Sequence, residues 1–188
     1  MGDKNLNSSL NDEQINLLNN LINEVSERQL KDFGSINADI KSDGTLITDC
    51  DRWSDKKIVE GIKKITHNKE GVLSEEGSTK VPSSSSFWVV DPLDGTTNFA
   101  AGIPYWAISI ARFVDGYPQI AFLDVPALKK RITAIRGKGV WLNEKKIIKK
   151  NNSSIINNKC ISLCSRSIKI LQKNPNKIFP GKIRLLGV

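Results

Sequence analysis

The stretch that most constrains this chain runs from residue 87 to residue 99. Phe87-Trp88-Val89-Val90 is an apolar run that reads as a buried strand, and it leads into Asp91-Pro92-Leu93-Asp94-Gly95-Thr96-Thr97-Asn98-Phe99. Two carboxylates thus leave the end of a strand three positions apart. The proline between them is expected to stop the strand, and the glycine-threonine pair after them to open a helix. Two acids at the mouth of a buried strand are costly unless a cation neutralises them. Magnesium-like cations take carboxylate oxygens, and a helix start offers free backbone amides to a phosphate. The segment therefore predicts metal-assisted phosphate chemistry.

Composition narrows the classes that remain. With 188 residues, 39% hydrophobic and 26% charged, the chain has the composition of a soluble globular protein large enough to bury a core. No apolar stretch approaches the ~20 residues of a membrane span. The polar start Met1-Gly2-Asp3-Lys4-Asn5 lacks the apolar centre of a secretory signal, so a cytoplasmic protein is expected, with no membrane partner. The three cysteines, Cys50, Cys160 and Cys164, lack C-x-x-C spacing and form no evident disulfide framework. Cys50 reads as a small buried residue.

The single histidine, His67, falls at an expected helix end and reads as exposed; multi-histidine zinc sites are excluded. Neither a G-x-S-x-G elbow nor a G-x-x-x-x-G-K phosphate loop is present. The net charge of +8 is spread along the chain without interleaved aromatics, so it reads as a solvated surface and nucleic acid is not the expected partner.

Periodicity supplies a frame for the acids. Ile15, Leu18, Ile22 and Val25 recur at helical spacing, which predicts a helix over residues 11–31 capped by Asn11 and ended by Asp32-Phe33-Gly34. Lys41-Ser42-Asp43-Gly44 is a turn signal, Thr45 to Thr48 a short strand, and Trp53 to Thr66 a second helix with Ile58, Ile62 and Ile65 on one face. A hairpin follows the Asp91 turn, folded at Asp115-Gly116 and returning over Gln119 to Val125. Arg131 to Ile135 and Val140 to Leu142 form another strand pair. Residues 149–158 read as a polar loop, and Cys160 to Cys164 and Lys182 to Leu186 as further strands. Early helices followed by many antiparallel strands predict a layered α+β architecture.

Three segments offer acids at breaks in this frame: Asp49/Asp51 after a strand, Glu75/Glu76 after an apolar segment, and Asp91/Asp94. Paired metal ions at phosphorus need such convergence from separate segments. Alone, Glu75-Glu76 reads more readily as a solvated loop pair, and Asp51 equally as a cap of the second helix.

At these residues the chain resembles the inositol monophosphatase family of magnesium-dependent, lithium-sensitive phosphatases. The likeness is carried by residues 91–99 and extends to Lys41-Ser42-Asp43-Gly44, Ile47-Thr48-Asp49-Cys50-Asp51, Ser74-Glu75-Glu76-Gly77 and Gly137-Lys138-Gly139-Val140-Trp141-Leu142-Asn143. It covers the chain from about Asn11 onward, with residues 11–148 well matched. The resemblance implies a layered α-β sandwich of the sugar-phosphatase type. It implies two or three Mg²⁺ ions, with Glu75, Asp91 and the Leu93 carbonyl binding the first and Asp91 and Asp94 the second. It implies that Asp51 hydrogen-bonds Thr96, that Glu75 and Thr96 orient the attacking water, and that the Gly95 and Thr96 amides take the phosphate. Substrate contacts would then fall to Glu75, Leu93, Asp94, Gly95 and Thr96. The implied reaction is hydrolysis of inositol monophosphate, or of a related small polyol or sugar phosphate, by a metal-activated water; a homodimer is left open.

The family carries a further lobe with a tryptophan-aspartate motif whose aspartate completes the metal site. Here Trp53, Trp88, Trp106 and Trp141 precede Ser54, Val89, Ala107 and Leu142. The expectation is a chain with the N-terminal lobe present and the C-terminal lobe largely missing, residues 159–188 beginning the remainder. Two readings follow: a phosphomonoesterase, or a remnant that binds metal, phosphate or a protein or RNA partner without turnover.

Overall fold

The computed structural model describes residues 9–35, 38–42, 44–77, 80–148, 160–163 and 182–185. Helix α1 spans Asp12–Asp32. Asn11 caps it: its side chain accepts from the Gln14 amide at 2.8 Å, and the Gln14 side chain accepts from the Asn11 amide at 3.1 Å. This reciprocal box satisfies two amides that a helix start otherwise leaves open. Strands β1, Ala38–Ile40, and β2, Leu46–Thr48, pair antiparallel; β1 had no expected counterpart. The turn between them closes with the Gly44 amide donating to the Lys41 carbonyl at 2.9 Å; Asp43 lies outside the described residues.

Helix α2 spans Asp49–Ile65, so it starts four residues before the expected Trp53. The correction has a local cause. Thr48, and not Asp51, is the N-cap, and Asp51 is its capping-box partner three residues on. Asp49, Cys50 and Asp51 therefore lie on the first helical turn, where acids also oppose the helix dipole favourably. Gly61 lets the two helices approach: a Cβ there would meet a Leu21 methyl at 2.5 Å. At the far end His67 is exposed, with φ +52°, in keeping with the sequence.

The main sheet has seven strands in chain order. They are β3 (Gly71–Ser74), β4 (Ser86–Asp94), β5 (Ala107–Val114), β6 (Tyr117–Val125), β7 (Lys130–Ile135), β8 (Gly139–Leu142) and β9 (Lys145–Lys146). Only β3 and β4 pair in parallel; the rest are antiparallel. Asp115 and Gly116, both with positive φ, make the two-residue turn between β5 and β6. One sheet face meets the helices, with Leu18, Ile22, Ile58 and Ile62 packed against Trp88, Val90, Ile110 and Phe122. On the opposite face the register aligns Val89, Ala111, Ala121, Ala134 and Val140, all partly exposed. Strands β10 (Cys160–Leu163) and β11 (Lys182–Leu185) pair in parallel within a separate unit. The expected loop at residues 149–158, Cys164 and Leu186 lie outside the described residues. No described helix is long and apolar enough to cross a membrane.

Two charges are buried under this sheet face. Arg112 and Glu70 have side chains only 7% and 10% exposed. The Arg112 Nε donates to Glu70 Oε2 at 2.9 Å, and the Trp88 indole donates to the same oxygen at 2.6 Å. Burial alone would raise the Glu70 pKa, but these donors hold it below the ordinary carboxylate value. Replacing Glu70 by alanine removes the carboxylate that faces this buried guanidinium. Urea titration of the E70A variant is expected to show a loss of about 3–5 kcal/mol.

Candidate metal and phosphate site

The site is built where β4 leaves the sheet. Contrary to expectation, Pro92 does not end the strand, which continues to Asp94. Instead the pairing with β5 slips: Asp91 faces Ser109 but Asp94 faces Ala107. A proline has no amide to give the ladder, so the chain bulges around it. Leu93 is buried at the bulge, in a second core cluster with Cys50, Phe99 and Trp106. Its amide donates to Asp91 Oδ1 at 3.2 Å.

Gly95 follows with φ +101°, and a Cβ there would lie 3.1 Å from the Tyr105 carbonyl oxygen, so the turn demands glycine on both counts. It caps the short helix α3, Thr96–Ala100, without any side-chain bond. The amides at such a start have no intrahelical acceptor and suit an anion.

Asp51 comes to this turn from α2 and is 1% exposed. Its Oδ2 accepts from the Thr48 amide at 2.8 Å and from the Thr48 hydroxyl. Its Oδ1 accepts from the Thr96 hydroxyl at 2.8 Å. One oxygen of Asp51 thus completes the capping box of Thr48, and the other meets the Thr96 hydroxyl. The Thr96 hydroxyl has a second acceptor in the Leu93 carbonyl, at 3.2 Å.

Glu75 arrives from the end of β3, where its amide donates to the Val90 carbonyl at 3.2 Å and so sets it beside Asp91. Its side chain is half exposed. Lys41 Nζ reaches Glu76 at 2.5 Å and Glu75 at 3.4 Å. Glu76 is therefore turned to a lysine. Asp49, 91% exposed, pairs with Arg52 at 3.0 Å and stands apart from the group.

Among the described residues, no three acidic, histidine or cysteine side chains already close into a metal cage. Three carboxylates are nevertheless near enough to act on one another. Burial, then the charges of Glu75 and Asp94, push the Asp91 pKa up from 3.8 to about 7. Burial and Glu75 also raise Asp94. The donor set is all oxygen and the local excess is negative, which fits a hard divalent cation. Glu75, Asp91, Asp94 and the Leu93 carbonyl are the groups that would hold it. Cys50 is 1% exposed, and burial pushes its thiol up to about 12, so it stays an uncharged core residue and not a ligand.

Sequence reasoning missed two residues here. Lys41 stands in the sequence within a turn signal and a stretch of the family resemblance, and neither implies its pairing with Glu75 and Glu76. Gln29 sits on the buried stripe of α1 after Leu18, Ile22 and Val25, and is 0% exposed. A polar side chain at helical spacing on an apolar face was the available signal. An open groove of about 980 Å³, lined by Asn16, Asn23, Arg131 and Trp141, shares no residue with the acids.

Comparison with known proteins settles the kinship. The model of the inositol monophosphatase family matches residues 10–182. This chain belongs to the inositol monophosphatase family. It is 33% identical over 116 residues to the Nus factor SuhB of Pasteurella multocida, covering 62% of this chain and 43% of that protein. It is 37% identical over 111 residues to the histidinol-phosphatase of Mycobacterium tuberculosis, covering 58% and 42%. Among solved structures, the IMPase of Thermotoga maritima superposes with a TM-score of 0.79 at 26% identity, over 93% of this chain and 68% of that one. An IMPase/NADP phosphatase solved with NADP and Ca²⁺ gives 0.76 at 20% identity, a likeness of fold alone. The matched stretch spans 37% to 51% of the length of the curated relatives. The family fold accounts for the layered α+β arrangement.

The raised Asp91 pKa carries a sign that can be checked. Without divalent ions the folded state holds the Asp91 proton more tightly than the unfolded chain does. Stability is then expected to fall as pH rises from about 4 through about 7. Thermal unfolding in EDTA should show this slope, and Asp91→Asn should flatten it. Adding Mg²⁺ should raise the midpoint more at pH 8 than at pH 5.

Proposed function

We propose that this chain carries the metal-and-phosphate half of a phosphomonoesterase acting on a small phosphorylated polyol or sugar, with Mg²⁺ as its ion. The observation that supports this best is the meeting of Asp91, Asp94 and Glu75 beside the Asp51–Thr96 hydrogen bond at the start of α3. Similarity to relatives named histidinol-phosphatase, fructose-1,6-bisphosphatase/inositol-1-monophosphatase and inositol-1-monophosphatase favours the same class of chemistry.

The chain's own groups divide the work. The Gly95 and Thr96 amides receive the phosphate oxygens. A divalent cation on Glu75, Asp91, Asp94 and the Leu93 carbonyl would supply Lewis-acid charge for the attacking water and for the phosphate. Thr96 Oγ1 donates to Asp51, which leaves its lone pairs to accept from that water and orient it toward phosphorus. Glu75, half exposed, would take one proton from that water. Water oxygen bonds to phosphorus as Glu75 takes one of its protons, the P–O bond to the polyol breaks, the leaving oxygen takes a proton from solvent water, and Glu75 returns its own proton to solvent. No covalent enzyme intermediate is required.

A second reading has its own support. Several relatives are named Nus factor SuhB and not phosphatase. With a net charge of +8, a partner-binding role without turnover would draw on a protein or RNA surface.

Phosphate release from inositol 1-phosphate by the 188-residue chain, with and without Mg²⁺, separates the two. The phosphatase reading expects Mg²⁺-dependent turnover that falls to background in Asp91→Asn and by about 100-fold or more in Thr96→Ala. Turnover that ignores Mg²⁺, or an unimpaired Asp91→Asn, would sink it. Mg²⁺ binding without turnover, with RNA affinity that drops steeply in salt, would favour the second reading.

A further inference from the structure

Gln29 makes three hydrogen bonds with one amide, and each ends on a segment that carries the site. Nε2 donates to the Pro92 carbonyl at 2.8 Å and to Ser54 Oγ at 3.1 Å. Oε1 accepts from the Trp106 indole at 3.0 Å. The amide can sit only one way round. Flipped, its oxygen would face the Pro92 carbonyl oxygen and its NH₂ would face the indole N–H, two repulsive pairings in a dry setting.

The three partners are informative. Pro92 lies between Asp91 and Leu93, inside the bulge, where a carbonyl lacks a regular ladder partner. Ser54 lies on α2 one turn beyond Asp51. Trp106 adjoins the Gly95 turn, where a Cβ on Gly95 would stand 3.3 Å from its Cα. A single buried amide thus ties the bulge, the helix that bears Asp51 and the strand start behind Gly95 to α1.

We propose that Gln29 is a positioning residue for the metal site: by holding the Pro92 carbonyl it sets the tilt of the Pro92–Leu93 peptide, and with it the aim of the Asp91 carboxylate and the Leu93 carbonyl. This rests on reading Asp91 and Asp94 as the phosphatase metal centre. Gln29 touches no ion or substrate; it acts through Pro92. The competing account is that Gln29 merely stabilises the fold. That account predicts loss of stability with no change in metal affinity of the folded protein. Trp106 separates the two accounts, because it bonds the acceptor end of the amide and not the end that holds Pro92.

The test uses the 188-residue chain and the variants Gln29→Met, Gln29→Leu and Trp106→Phe. Gln29→Met and Gln29→Leu fill the buried space and give nothing to Pro92. Mg²⁺ affinity is read by calorimetry, and amide hydrogen exchange at Leu93 and Asp94 is read in EDTA, under conditions where each variant is folded. Both Gln29 variants should weaken Mg²⁺ binding about tenfold or more. They should also speed exchange at Leu93 and Asp94 beyond any change in the α1 and α2 core. Trp106→Phe should cost stability while holding Mg²⁺ affinity within about threefold of the starting protein.

Wild-type affinity and local exchange in Gln29→Met or Gln29→Leu would overturn the proposal, as would a loss of affinity in Trp106→Phe equal to that in the Gln29 variants. If the starting chain binds no Mg²⁺, the metal-centre reading fails by itself. Exchange then decides the clamp: acceleration confined to Leu93 and Asp94 upholds it, and uniform acceleration overturns it. Should Gln29→Met not fold, Gln29→Leu carries the comparison.

Discussion

Holding Asp91 and Asp94 beside Glu75 sets like charges against one another in a half-buried corner, and the rest of the site can be understood as what keeps them there. Burial first, and then that repulsion, pushes the Asp91 pKa up to about 7. Lys41 offsets part of the charge from the Glu75-Glu76 side. It does not reach the β4 acids, so a positive charge from outside the chain is the natural complement there. Without rigid anchoring the carboxylates would rotate into solvent and relieve the strain. Their backbones prevent this: Glu75 is tied to Val90, Leu93 is buried at the bulge, and Asp94 resumes its pairing opposite Ala107.

Two packed regions divide the labour. The larger cluster, where Leu18, Ile22, Ile58 and Ile62 meet Trp88, Ile110 and Phe122, makes the two helices and the sheet one body. The smaller, of Cys50, Leu93, Phe99 and Trp106, lies under the acids. Phe99 meets Trp106 edge-on at 5.0 Å, and Phe33 stacks on Trp106 at 4.4 Å. Aromatic packing of this kind is stiff as well as apolar. The turn from Asp91 to Thr96 therefore rests on a packed apolar floor.

Much of this was legible in the chain. The Asn11 cap, the apolar stripe of α1, the Asp115-Gly116 turn and the helix opening after Gly95 all depend on neighbours within four residues. Other features were not legible. Pro92 was expected to end β4, because a proline's missing amide is visible in sequence but a bulge that accommodates it depends on β5. Helix α2 was expected to begin at Trp53, because Asp49 and Asp51 looked like loop ligands; the Thr48–Asp51 box draws them into the helix. Gln29 passed unnoticed because its three partners are 25, 63 and 77 residues away.

The sequence by itself determined which groups are available: carboxylates at residues 51, 75, 91 and 94, a threonine at 96, and a glycine able to take a positive φ at 95. Those are local facts, set by side-chain chemistry and backbone sterics. Only the tertiary structure decided which of them meet. Asp51 reaches Thr96 across 45 residues of chain, while Asp49, two positions away, turns outward to Arg52. The reason is helical geometry. Two residues along a helix are about 200° apart around its axis, so once α2 packs against the sheet one acid must face inward and the other must face water.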